Sequence, residues 1–304
     1  MTKHFLTLDD LGGEGLLALL DRSAELKRLR GRSEHPRPLA GKSVGILLEK
    51  SSTRTRISFE VGVHELGGLP LTLKATDIQL GRGESIEDSA RMFSRFLHAV
   101  VFRTFGHDRV ESLARASSVP VINGLSDLHH PCQILADLLT VRENLGRVEG
   151  TRVAWVGDGN NVAHSWIEAA TLVGFELVLA CPEGYDPNPE VLAAAKRRGR
   201  GKVEVVRSAD EACRGADVVT TDVWVSMGQE GETSDRNKVF DGYAIDARRM
   251  ALAAPQGIFL HCLPAHRGEE VTADVIDGPR SRVWDEAENR LHTQKALLER
   301  LLQG

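Results

Sequence analysis

Val44-Gly45-Ile46-Leu47-Leu48 is followed by Ser51-Ser52-Thr53-Arg54-Thr55-Arg56, then by Phe59, Val63 and Leu66 at helical spacing before Gly67-Gly68. The stretch reads as a strand, a polar turn and an amphipathic helix, which is one βα unit. The same unit recurs along the chain. Strands are predicted at 99–103 and 119–122, with helices over 52–66, 85–96 and 108–116. In the second half strands are predicted at 152–156, 176–181, 202–206, 217–221 and 258–263, with helical segments between them. Apolar runs alternating with helices feed parallel sheets, so the expected fold is α/β, with two doubly wound domains whose interdomain cleft can hold an active site. The length of 304 residues agrees, at roughly 100–200 residues per domain. Pro131 can open a helix running to about Asn144, which Gly146 and Gly150 interrupt, so the boundary is placed near Gly146, with domains 1–146 and 147–304. A last helix over about 285–302, carrying Leu291, Leu297, Leu298 and Leu301, is able to pack back on the first domain.

Composition narrows the function. Hydrophobic residues make up 41% and charged residues 27%, as in an ordinary folded protein. Lys+Arg 38 against Asp+Glu 43 gives a formal charge of -5, which supplies no basic field for nucleic acid or for an anionic membrane. Any bound anion must therefore meet a local cluster of arginines. Asp9, Asp10, Glu14, Asp21 and Arg22 interrupt the leucines of the first thirty residues, and no run approaches the ~20 apolar residues of a membrane span, so a cytoplasmic protein is expected. Cys132, Cys181, Cys213 and Cys262 are scattered without a Cys-x-x-Cys pair, which suggests reduced thiols.

The turn at 51–56 joins hydroxyls, two guanidinium groups and free backbone N–H groups at a helix start, a donor set that suits a phosphate dianion. The less favoured alternative, taking the segment alone, is a Ser/Thr cap beside solvated arginines. Arg103 ends a predicted strand, and open α/β sheets bind ligands beside the carboxyl ends of their strands. His130 stands immediately before the helix that Pro131 opens, where an imidazole can donate to a developing oxyanion. Neither His129-His130-Pro131-Cys132-Gln133 nor His261-Cys262-Leu263-Pro264-Ala265-His266 is followed by a ligand pair at zinc spacing, so no metal is expected. Gly157-Asp158-Gly159-Asn160-Asn161 partly matches a dinucleotide fingerprint, but Val162 occupies the third glycine position. The Asn161 amide is instead a candidate for a carboxylate, and Asp222, at a strand end with Ser226 four residues on, for an ammonium group.

Together these segments resemble the ornithine carbamoyltransferases, within the aspartate and ornithine carbamoyltransferase superfamily. The resemblance covers nearly the whole chain. It rests on Ser52-Thr53-Arg54-Thr55-Arg56, Asp77-Ile78-Gln79-Leu80-Gly81, Phe102-Arg103-Thr104, His130-Pro131-Cys132-Gln133, Gly157-Asp158-Gly159-Asn160-Asn161, Asp222-Val223-Trp224-Val225-Ser226-Met227-Gly228, His261-Cys262-Leu263-Pro264 and Glu288-Asn289-Arg290. It implies carbamoyl transfer from carbamoyl phosphate to the δ-amine of L-ornithine, giving L-citrulline and phosphate, with no cofactor.

By that resemblance Ser52, Thr53, Arg54 and Thr55 hold the phosphate, Arg103 bridges phosphate and carbonyl oxygen, and His130 and Thr55 support the carbonyl. Gln133, the Leu263 backbone and Arg290 position the carbamoyl NH2, while Gln79 reaches the carbamoyl phosphate of a neighbouring subunit in a homotrimer or a higher assembly of trimers. Asn161, Asp222, Ser226 and Met227 bind the amino-acid end of ornithine, and Cys262 with Asp222 orients the δ-amine. The implied catalytic set is Arg103, His130, Asp222 and Cys262, with Cys262 also beside the carbamoyl phosphate. Leu48, where many relatives carry Phe, is a packing position.

Overall fold

In the computed structural model, which describes residues 3–74, 78–225 and 233–303, the apolar run 43–48 is an inner strand of a four-stranded sheet. Its strands are β1 (Ser43–Leu48), β2 (Leu69–Lys74), β3 (Ala99–Arg103) and β4 (Val121–Leu125), all parallel, in the order β2-β1-β3-β4. Chain order reverses direction between β1 and β3, and their carboxyl ends lie side by side, Leu48 opposite Arg103. A crevice at such a reversal is where open α/β sheets receive ligands. This sheet belongs to a compact unit formed by Met1–Leu139 together with Glu288–Gly304.

The other unit, Thr140–Ala287, holds β5 (Arg152–Val156), β6 (Glu176–Ala180), β7 (Lys202–Val206), β8 (Val218–Thr221) and β9 (Ile258–His261). They are parallel in the order β7-β6-β5-β8-β9, with the reversal between β5 and β8. Strands covered on both faces must be apolar along their length, and β3, β5, β6 and β9 are buried at nearly every position. Among the described residues no helix is long and apolar enough to cross a membrane.

β9 stops at His261, two residues short of the expected end at 263, and two other strands differ more from the sequence reading. β2, absent from the reading, contains Pro70 and leaves Leu69 and Leu71 exposed. Among the described residues it pairs only with β1, and an edge strand tolerates both features because one side makes no ladder. β4 starts two residues later than expected and continues through Asn123-Gly124, a pair that reads as a turn. There Asn123 is buried and donates from Nδ2 to the Leu6 carbonyl at 2.9 Å, while its backbone N–H donates to Phe5 O at 2.8 Å. The amino-terminal segment thus satisfies the outer side of β4.

The helix Thr53–Glu65 packs its Phe59, Gly62 and Val63 face inward, with a Gly62 Cβ position only 3.4 Å from Lys295 Cγ of the last helix. Lys295 is completely buried and donates to Glu65 Oε2 at 2.7 Å. It also reaches His35 Nε2 at 3.2 Å, which accepts because His35 Nδ1–H is committed to the Pro36 carbonyl at 3.0 Å. Replacing Lys295 by alanine takes the partner from Glu65 Oε2, leaving Arg30 Nε on Oε1 at 2.9 Å, and opens a void. The expected loss is about 3 kcal/mol, read as a fall of roughly 6–12 °C in the thermal midpoint; an unchanged midpoint would show that the pair contributes nothing.

Candidate active site

Directly after β1 the chain turns into the helix Thr53–Glu65, because extended Ser52 (φ -157°) caps it, its hydroxyl accepting from Thr55 N at 3.2 Å. The N–H groups of the first turn, unused by the helix, and the positive end of its dipole face the end of β1. Arg103, at the end of β3 and only 7% exposed, donates to Thr55 Oγ1 at 3.3 Å. Arg290, 2% exposed on the helix Val283–Gln303, donates to the same oxygen at 3.3 Å and to Gln133 Oε1 at 2.6 Å. Gln133 in turn donates to Asp137 Oδ1 at 2.8 Å. With both lone pairs of Thr55 taken by guanidinium groups, its hydroxyl proton is left to donate to a ligand.

His130 is buried beside these groups, at the start of the helix Pro131–Leu145. Burial, reinforced by Arg290, Arg103 and Arg54, holds its pKa well below the ordinary histidine value, so the ring is neutral at pH 7, with one N–H donor. Arg54 makes no side-chain hydrogen bond or ion pair among the described residues. The structure therefore brings Ser52, Thr53, Arg54, Thr55, Arg103, His130, Gln133 and Arg290 together at one reversal point. Gln79 stands apart from them, exposed in a short 3-10 turn.

A buttress missing from the sequence reading lies behind the cluster. Glu49 donates its N–H to Arg103 O at 2.9 Å, and its carboxylate accepts from Arg109 Nε at 3.1 Å and from the Thr104 hydroxyl. Glu49 thereby locks the end of β1 to the end of β3. Its adjacency to the 51–56 turn and that of Thr104 to Arg103 were the only signals in the sequence.

The second reversal point carries the other expected residues. Gly157 adopts φ +142°, and a Cβ on Gly159 would sit 2.3 Å from Pro187 N, so the Gly-Asp-Gly segment serves the close approach of the 186–187 loop. Asn160, given no role in the sequence reading, turns its amide to a carboxylate of the protein itself. Its Oδ1 caps the helix Asn161–Ala169 through Val162 N (2.9 Å) and Ala163 N (3.2 Å), and its Nδ2 donates to Asp222 Oδ2 at 2.9 Å. Asn161, half-buried, is the first residue of that helix. Asp222 Oδ1 accepts from Val223 N at 2.8 Å and from the Cys262 thiol at 3.1 Å. Ser226 and Met227 lie outside the described residues.

Cys262 and Leu263 follow β9. Leu263 sits at φ +57°, a region costly for a side-chain-bearing residue, and its N–H is held by His261 Nδ1 at 2.9 Å. That bond fixes the tautomer: Nε2–H of His261 donates to Glu270 Oε1 at 3.2 Å, so both ring nitrogens are engaged. All four cysteines are free thiols, and burial pushes Cys132 up to about 12.

Comparison with known proteins then supplies a family. The carbamoyl-P binding domain of aspartate/ornithine carbamoyltransferase matches residues 3–143, and the Asp/Orn binding domain of the same family matches residues 149–301. The chain is 55% identical over 302 residues to the ornithine carbamoyltransferase of Geobacter metallireducens, covering 99% of this chain and 100% of that protein. Among solved structures, the ornithine carbamoyltransferase from Pyrococcus furiosus superposes with a TM-score of 0.94 at 46% identity, covering 100% of this chain and 98% of that one. The anabolic ornithine carbamoyltransferase from Campylobacter jejuni gives 0.93 at 41% identity, with 98% of each chain covered.

Proposed function

Since this chain belongs to the aspartate/ornithine carbamoyltransferase family, we propose a division of labour within its reaction, with the donor held by the residues around Thr55 and the acceptor by those around Asp222. The reaction itself is transfer of the carbamoyl group of carbamoyl phosphate to the δ-amine of L-ornithine, giving L-citrulline and phosphate. One observation supports the donor assignment above the rest: Thr55 Oγ1 accepts from both Arg103 and Arg290 beside a neutral, buried His130.

In this reading Ser52, Thr53, Arg54 and Thr55 receive the phosphate oxygens, with Arg103 spanning phosphate and carbonyl oxygen. His130 and Thr55 donate to the carbonyl oxygen. A neutral imidazole keeps one N–H, which can hydrogen-bond the oxyanion of the tetrahedral intermediate as its charge develops. Gln133, Arg290 and the Leu263 carbonyl orient the carbamoyl NH2. Asp222, steadied by Asn160, receives an ammonium of ornithine, and Cys262 with Asp222 guides the δ-amine, while Asn161, Ser226 and Met227 hold its amino-acid end. The δ-ammonium must lose one proton before it can attack; once the C–N bond has formed, the nitrogen sheds a second proton from the tetrahedral intermediate, and the departing phosphate is a suitable acceptor for that one. Arginine donors then stabilise charge as the C–O bond to phosphate breaks.

The proposal extends to the assembly and setting. A homotrimer would let exposed Gln79 reach the donor of a neighbouring subunit. Arginine biosynthesis in the cytoplasm is the proposed context, supported by the similarity to an anabolic relative. The acceptor assignment is tested by supplying carbamoyl phosphate with ornithine, putrescine, N-acetylornithine or aspartate in parallel and measuring carbamoylated product and phosphate. Ornithine is expected to be preferred by at least 10²-fold in kcat/KM, since buried polar groups left unpaired by a wrong acceptor are costly. Turnover confined to another amine would overturn it.

A further inference from the structure

We infer a divalent metal site, suited to zinc, at His266, Glu269 and Glu270, on the loop following Cys262. The backbone there makes a tight turn: Glu269 N donates to His266 O at 3.0 Å, and Gly268, at φ +92°, occupies the position that demands a left-handed residue. The turn brings residues i, i+3 and i+4 to one side. His266 Nδ1 lies 3.7 Å from Glu269 Oε2 and 4.0 Å from Glu270 Oε2, and the three donor atoms all fall within 4.8 Å of one another. Zinc bonds of about 2.0–2.2 Å at tetrahedral angles place ligand atoms roughly 3.3–3.6 Å apart. The exposed side chains of His266 (52%) and Glu269 (41%) are free to close that small difference.

Glu270 provides the independent indication. It is fully buried, and its two oxygens are treated unequally. Oε1 accepts from His266 N at 2.6 Å and from His261 Nε2 at 3.2 Å. Oε2, also buried, has no hydrogen-bond partner among the described residues and faces His266 Nδ1. A buried carboxylate oxygen without a partner is expensive, and a cation shared with one imidazole and a second carboxylate satisfies it. One nitrogen and two oxygen ligands, with room for water, suit zinc better than the all-oxygen cages of calcium or magnesium. The bond from His261 to Oε1 is the outer-shell contact such a ligand carboxylate commonly carries. Metal bound here would stiffen Glu270, His261 and Leu263 together.

The test must separate this site from the Cys262 thiol, which lies near Asp222 and can itself take zinc. Equilibrium dialysis against Zn2+ with elemental analysis is run on the full chain carrying Cys262→Ser, and on the same chain with His266→Ala and Glu269→Gln added. One zinc per chain is expected in the first. In the second, affinity should fall about 100-fold or more, beyond the 10–100-fold typical of losing an outer-shell partner. Zinc should also raise the thermal midpoint of the first chain and not of the second. Equal binding in the two chains, a difference under tenfold, or no zinc in the Cys262→Ser chain would overturn the site. Should Cys262→Ser fail to fold, His266→Ala with Glu269→Gln in the otherwise unaltered chain should lose one zinc equivalent.

Discussion

Arg54→Ala is expected to lower kcat/KM for carbamoyl phosphate by about 10²–10³, the range for losing a donor that meets developing charge. The effect should fall mainly on the donor substrate. Arg54 is half-exposed at the first turn of the Thr53–Glu65 helix and has no ion pair or side-chain hydrogen bond among the described residues, so its charge is uncompensated until an anion arrives. Alanine there removes no hydrogen bond or ion pair among the described residues and favours the helix, which keeps the folded population intact. Arg54→Lys should recover only part of the loss, because an ammonium cannot make a bidentate contact to phosphate. Steady-state kinetics with carbamoyl phosphate varied checks this. An unchanged KM for carbamoyl phosphate together with an unchanged kcat would remove the phosphate role from the helix start.

Asp222→Asn is expected to lower kcat/KM for ornithine by about 10–100-fold, the equivalent of the 1.5–3 kcal/mol of a hydrogen bond to a charged group. Carbamoyl phosphate affinity should stay within twofold. Asparagine keeps the shape but removes the charge that attracts an ammonium, and its NH2 must face either the Asn160 amide or the Cys262 thiol, both of which donate to Asp222 in the native chain. Thr221, one residue earlier, ties β8 to β5 by donating to Val156 O at 2.6 Å, so the strand end itself should hold. Initial rates with ornithine varied at saturating carbamoyl phosphate provide the check. A larger effect on the donor than on ornithine would contradict the acceptor assignment.

Much of this arrangement was legible from local patterns. Apolar runs marked most of the inner strands, and the polar clusters that end β1, β3, β5 and β8 stand at the two reversal points where such sheets present ligands. What escaped was set by tertiary context. β2 was hidden because an edge strand needs neither continuous apolar character nor freedom from proline. Asn160 was given no role because its bond to Asp222 spans 62 positions, and spacing alone does not show that it caps the helix that follows. Arg290 came into view only through resemblance: its contact with Thr55 spans 235 positions, and nothing near Glu288-Asn289-Arg290 signals a buried guanidinium. The Glu49–Arg109 buttress is likewise a long-range pairing, with no local periodicity to announce it.

The central claim is that donor and acceptor are held by separate groups of residues, one around Thr55 and one around Asp222. Titrating carbamoyl phosphate calorimetrically into Arg54→Ala and Asp222→Asn, side by side with the native chain, tests it most directly. Binding weakened by 10²-fold or more in Arg54→Ala and unchanged in Asp222→Asn is the predicted result. Equal weakening in both variants, or binding lost only in Asp222→Asn, would contradict the account.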